Sequence, residues 1–118
     1  MNRKKRDPQV YLQDILSAIA RIEQYTVKGK KDFLTNTLVQ DAVIRQISII
    51  GEAAVKLPST MKAKHPEITW KQIKGMRNII IHDYSETDLP TVWGTVTHDL
   101  PPLKRAVKTM LKEQHKRG

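Results

Sequence analysis

Apolar side chains recur at helical intervals near the start of the chain, at Leu12, Ile15, Leu16, Ile19 and Ile22, and the pattern stops near Gly29. This spacing lines one face of an α-helix. Asp7 followed by Pro8 suits its start, because the carboxylate accepts orphan amide protons and proline supplies a helical φ. A second helix is expected from Asn36 or Thr37 through LVQDAVIRQISIIGEAAVKL, ending before Pro58. It is apolar on more than one side: Val43, Ile47, Ile50 and Ala54 form one stripe, while Ala42, Ile49 and Ala53 lie off it. Such a helix needs two partners. One is the domain's own core, and a second copy of the chain could supply the other. Ser48 and Gly51 are small enough to let another helix approach closely.

PSTMKAKHPEI (58–68) reads as a loop with at most one short turn. Thr69 and Gln72 then fit a capping box, in which each side chain satisfies a backbone amide at the start of a third helix. Its apolar positions Ile73, Met76, Ile79 and Ile80 lead into RNIIIHDY, residues 77–84. Ser85, Thr87, Asp88 and Pro90 break the pattern ahead of a fourth helix around Val92, Trp93 and Val96. Asp99, Pro101 and Pro102 start a fifth, carrying Leu103, Val107, Met110 and Leu111. The expected fold is all-α, a four- to five-helix up-and-down bundle spanning residues 8–113, with residues 1–7 as a basic, flexible tail and 114–118 as a second basic tail.

At 118 residues the chain fits one domain with a modest core. The absence of cysteine excludes disulfides, zinc-thiolate clusters and thiol catalysis. Nothing resembles an export signal or approaches the roughly 20 apolar residues that span a bilayer, so a cytoplasmic protein without membrane contact is expected. The net charge of +9, from 21 Lys and Arg against 12 Asp and Glu, favours a polyanionic partner. Much of that excess sits near the chain ends, where solvated tails are the simpler reading.

Serine and cysteine nucleophile motifs, glycine-rich phosphate loops and metal-ligand spacings are missing, and the four histidines, at 65, 82, 98 and 115, lie far apart. His82 and Glu86 could share a helical face, but two ligands seldom make a metal site. Neither metal nor cofactor is expected. RNIIIHDY is different. On an ideal α-helix Arg77 and Tyr84 fall within about 20° of each other, whereas Arg77 and His82 are separated by roughly 140°. A straight helix would hold that pair poorly, so either the arginine reaches around a frayed end or two copies of the motif meet at a subunit interface. Asn78 lies one turn before His82 and could orient its ring or contact a ligand. Taken singly, each of these residues is ordinary. Together they set a proton-moving imidazole and a phosphate-binding guanidinium beside a phenol, which suits RNA cleavage through the ribose 2′-OH without a metal.

The stretch matches R-x-x-x-x-H-x-Y and resembles the HEPN superfamily, in particular the small HepT toxins paired with minimal nucleotidyltransferase (MNT) antitoxins. RQISIIGEAAVKLP (45–58), HPEITWKQIKGMRNIIIHDY (65–84) and VWGTVTHDLPPLK (92–104) resemble the family's successive blocks in order and spacing. The resemblance implies a homodimeric helical bundle whose paired motifs line one cleft, and a metal-independent RNase toxin of a type VII-like toxin-antitoxin pair. It makes Arg77 and His82 the catalytic pair, Asn78 their polar companion, and Tyr84 the residue to which the MNT antitoxin attaches AMP. Glu52 of GEA is placed near the site, with an exposed or helix-pairing carboxylate as the alternative. HEPN relatives also include noncatalytic modules that bind a nucleotide or a partner protein, and this is the competing expectation. A small DNA-binding protein rests on charge alone.

Overall fold

The computed structural model describes residues 7–81 and 88–117. His82, Tyr84 and Glu86, the Ser85 and Thr87 helix-breaking positions, and the basic residues 3–6 lie outside the described residues.

Helix α1 (Pro8–Tyr25) begins as its sequence implies, with the Asp7 carboxylate accepting from the Gln9 amide at 2.9 Å. It closes when the Thr26 amide donates to the Ile22 carbonyl, and the chain turns through Gly29, whose φ of 92° lies in the region that favours glycine. A short helix that the apolar pattern does not announce, α2 (Lys30–Thr35), follows and buries Phe33. The Asn36 side chain then accepts from the Val39 amide at 3.3 Å and starts α3 (Thr37–Lys56), which stops at Leu57, before Pro58.

Helix α3 is the central element. Helix α1 packs along it, a second layer made of residues 70–81 packs on it as well, and the last helix, α7 (Leu100–Arg117), covers α1. Leu12, Ile15, Ile19 and Ile22 meet Val43, Ile47 and Ile50, with Leu103, Val107 and Met110, in one continuous core. Residues 70–81 thus cover part of α3 from within the same chain. Ala53 is buried there, whereas Ala42 and Ile49 stay half-buried. With Leu38, 79% exposed, these two share a strip of α3 that also carries Arg45, Glu52 and Lys56.

Residues 58–68 contain one short helix, α4 (Ser59–Ala63), and α5 spans Trp70–Gly75. The capping box does not form. Thr69 makes no side-chain cap, and its backbone carbonyl instead accepts from the Gln72 and Ile73 amides at 3.0 and 3.1 Å. The stronger tie is the Trp70 indole, whose Nε1–H is shared between the Lys62 and His65 carbonyls, each 3.0 Å away. It fastens the end of α4 to the start of α5.

From Met76 to Ile81 the helix tightens into a 3-10 helix. An α-helix is therefore not what carries Arg77, since a 3-10 helix turns by about 120° per residue, and the angles expected from it to His82 and Tyr84 end outside the described residues. A second departure lies across the bundle. The Asp88 carboxylate caps α6 (Leu89–Gly94) by accepting from Thr91, and the backbone runs on through a π-helical turn (Thr95–Asp99) directly into α7 (Leu100–Arg117). The fourth and fifth helices thus join in one run, and the backbone of residues 114–117 is helical. Pro101 and Pro102 carry no N–H, so the Thr97 and His98 carbonyls have no α-helical donor. The ladder widens just before them, with the Leu100 amide donating five residues back to Thr95. Phe33 and Trp93, with ring centroids 5.4 Å apart, tie α2 to α6.

Candidate active site around Arg77

Arg77 opens the second residue of the 3-10 helix, and both it and Asn78 are exposed. Their backbone is held by Gly51 of α3. A Cβ added at Gly51 would lie 3.0 Å from the Arg77 Cα and from the Met76 carbonyl carbon, and would overlap the Arg77 amide nitrogen. The bare glycine thus lets α3 seat the Arg77 backbone directly, while Met76 on the preceding position is buried. Glu52, next along α3, is exposed. Of the residues singled out by sequence, Gly51 and Arg77 meet at this junction, with Glu52 and Asn78 the next residues along their respective helices. His82 and Tyr84 lie outside the described residues.

Beside Met76 a groove of about 630 Å³ opens between α5 and the π-helical turn, with Gln72, Gly75, Thr95, His98 and Asp99 among its lining residues. A smaller hollow of about 220 Å³ continues it past Thr69, Gln72 and His98 to Pro102. His98 stands at the junction of the two. Its Nδ1 lies 3.2 Å from the Gly94 carbonyl and 3.3 Å from the Thr97 hydroxyl, and in the tautomer that donates to the carbonyl Nε2 is the free acceptor. Nothing in the spacing of the four histidines marks His98. Its only sequence signal is indirect, in the paired prolines that disturb the helix beside it.

The α5 side of this region is basic. Lys71 and Lys74 are exposed, and the Lys62 ammonium donates to the Ala54 carbonyl at 2.9 Å. Partial burial and the neighbouring Lys74 charge lower the Lys62 pKa. Glu67 accepts from His65 Nδ1 at 3.0 Å, which holds its carboxyl below the usual range. Among the described residues no three His, Asp or Glu side chains converge as metal ligands, and no helix is long and apolar enough to cross a membrane.

Known sequences give this geometry a context. The family described as Ribonuclease HepT-like matches residues 15–110. A protein of Thermococcus cleftensis named "Probable ribonuclease HepT" is 41% identical over 92% of this chain and 99% of its own length. A Methanocaldococcus jannaschii protein named "Gamma-glutamylcyclotransferase and putative RNase" is 42% identical over 95% of this chain, which spans 51% of that relative. Another protein of the same organism, named "Putative RNase", is 36% identical over 92% of this chain and 95% of its own length. No solved structure matches the chain. The family match covers most of the sequence, including the Gly51 contact and the R-x-x-x-x-H-x-Y stretch, and the chain belongs to the HepT-like ribonuclease family of the HEPN superfamily.

Proposed function

We propose that this protein is a metal-independent RNA endonuclease, the toxin of a toxin-antitoxin pair, in which Arg77 and His82 act at a cleft shared by two copies of the chain. The observation that carries the reading is the exposed Arg77 guanidinium on a backbone seated against Gly51, within a family of ribonucleases. A guanidinium offers paired donors to the nonbridging phosphate oxygens, where negative charge builds as the phosphorus becomes five-coordinate. The ribose 2′-hydroxyl gives up its proton as its oxygen bonds to phosphorus, the bond to the 5′-oxygen breaks, and the leaving 5′-oxygen gains a proton. His82 serves that proton traffic because imidazole exchanges protons near neutral pH. The products are a 2′,3′-cyclic phosphate and a 5′-hydroxyl. Asn78 orients substrate or imidazole, and Glu52, exposed on α3 next to Gly51, is a supporting carboxylate.

The strip of α3 carrying Leu38, Ala42 and Ile49 is the apolar surface available for the second copy. In the regulatory half of the proposal, an MNT nucleotidyltransferase antitoxin attaches AMP to Tyr84. The adenylate brings bulk and negative phosphate to the motif, competes for Arg77 and excludes RNA.

The test is cleavage of single-stranded RNA by the purified protein in excess EDTA. Activity is expected, with loss in His82→Ala at an unchanged melting temperature and oligomeric state. Activity that needs an added metal, or full activity of His82→Ala, refutes the mechanism, and binding without cleavage supports a noncatalytic module instead. Intact mass after coexpression with an MNT protein from the same genome reads the control step: a gain of AMP mapped to Tyr84 is expected, and an unchanged mass beside an active transferase removes it.

A further inference from the structure

We propose that the groove between α5 and the π-helical turn is a base-binding subsite for the nucleotide next to the scissile phosphate of a single-stranded RNA, with Gln72 and His98 reading the base edge. The inference deepens the ribonuclease reading and rests on it for the identity of the ligand. Position is the first argument. The groove lining includes Met76, the residue before Arg77 in the 3-10 helix, so groove and arginine belong to adjoining parts of the same element. Size is the second: about 630 Å³ falls within the range of small-ligand clefts.

Lining chemistry is the third argument. The Gln72 amide both donates and accepts, the Thr95 hydroxyl does the same, and His98 presents Nε2 as an acceptor in the tautomer whose Nδ1 donates to Gly94. These are the groups that hydrogen-bond the edge of an unstacked base, whereas a paired base has its edge occupied. Gly75, Gly94 and Met76 give the groove flat or apolar surface for the face of the ring. A Cβ added at Gly75 or Gly94 meets nothing within 4 Å, so open space begins at the backbone there. Lys71 and Lys74 are exposed elsewhere on α5 and add positive charge to the surroundings of a groove whose own lining carries the Asp99 carboxylate.

The open glycines also provide a way to fill the groove without disturbing the core. Gly94 has a φ of −59°, which any residue adopts, so Gly94→Leu should fold and obstruct the subsite. Binding is measured by fluorescence anisotropy at fixed salt, using short homopolymeric 2′-O-methyl oligonucleotides of A, C, G and U, which lack the attacking hydroxyl and report affinity without cleavage. The wild-type protein is expected to prefer one base. Gln72→Ala and His98→Ala are each expected to weaken that oligonucleotide roughly five- to tenfold and to flatten the preference. Gly94→Leu is expected to do so with an unchanged melting temperature, while Lys104→Ala, on the α7 surface, leaves both readouts unchanged. Equal wild-type affinity for all four bases, no binding at all, or variants that keep wild-type affinity and preference would overturn the subsite. The two readings fail separately: wild-type protein that shows these binding signatures but does not cut RNA retains the subsite and loses the nuclease. Cleavage with an unaltered base preference in all three variants does the reverse.

Discussion

Gly51 and Arg77 meet without room for a side chain between them: a methyl group on the glycine would stand 3.0 Å from the arginine Cα and overlap its amide. This places the exposed guanidinium at the end of a rigid path, from the packed centre of α3 through a backbone contact to the 3-10 helix. The neighbouring sequence is GEA, and the glycine of that triplet has a steric task quite separate from any charge on Glu52. Gly51→Ala must push apart two backbones, with no flexible side chain to absorb the shift. The expected result is destabilisation by about 1–3 kcal/mol together with loss of RNA cleavage. A thermal melt and a cleavage assay on one preparation check both, and a variant with wild-type values in each would show that the contact is unimportant.

Arg77→Ala should behave in the opposite manner. The side chain is exposed, so its removal costs the fold little, while the rate of RNA cleavage should fall by roughly 10²–10³. Arg77→Lys is expected to recover only part of that rate, since an ammonium cannot present the planar pair of donors. Single-turnover kinetics with the melting temperature as control distinguish this pattern from general unfolding.

Trp70→Phe keeps an aromatic ring and deletes the shared donor to the Lys62 and His65 carbonyls. A loss of about 1–2 kcal/mol is anticipated. Because the indole fastens α4 to the helix that leads into Arg77, faster amide hydrogen exchange should appear across residues 62–75 ahead of the α1 and α3 core. Uniform exchange rates across the chain would contradict that assignment.

Acid sensitivity follows from two carboxylates. Glu67 is held below its usual range chiefly by the hydrogen bond from His65, and Asp88 chiefly by the Thr91 hydroxyl at 2.7 Å and then by the Thr91 amide. A group whose pKa is lower folded than unfolded stabilises the fold above its unfolded value, and that stabilisation is lost as pH falls through the folded value. The melting temperature of the wild-type protein should therefore exceed that of Glu67→Gln/Asp88→Asn at neutral pH, and the gap should narrow below about pH 4. Lys62 has the opposite sign. Its lowered pKa means that the folded state sheds a proton first, so stability gains as pH climbs toward the unfolded lysine value near 10.4. A gap between wild type and the double variant that is constant with pH would disprove the carboxylate assignment.

Much of the architecture was legible because caps and apolar stripes are local signals. Asp7 with Pro8 and Asn36 with Thr37 start helices where their side chains can reach amides, and Leu57–Pro58 ends α3. The two apolar sides of α3 were equally visible, but periodicity cannot say whether a second partner belongs to the same chain. Residues 70–81 pack on α3 at Gly51 from within the same chain, while Leu38 stays exposed and Ala42 and Ile49 half-buried on another side of the helix. The tightening at Met76–Ile81 was hidden for a different reason. Apolar spacing reports which side is buried and is nearly blind to whether amides bond three or four residues back, although three β-branched residues in succession already disfavour an α-helix. At the candidate site, residue chemistry singled out Arg77 and Asn78, whereas His98 and Gln72 reach one groove only through the packing of α5 against the π-helical turn.

That π-helical turn makes chain length itself a determinant between Gly94 and Leu100. Val92, Val96 and Leu100 stand four residues apart twice over, and on a regular α-helix such steps would accumulate a lag of about 80°. The wider turn takes up the mismatch and lets Val92 and Leu100 both be buried. Deleting one residue from Thr95–Asp99 would let an ordinary α-helix form with Leu89–Gly94 near its present orientation about the α7 axis, because the π-turn holds one extra residue in much the same rotation. Substitutions there would be read one side chain at a time. A second deletion, with no extra residue left to absorb it, would re-aim everything upstream by about 100°, including the point at which the polypeptide returns from Arg77.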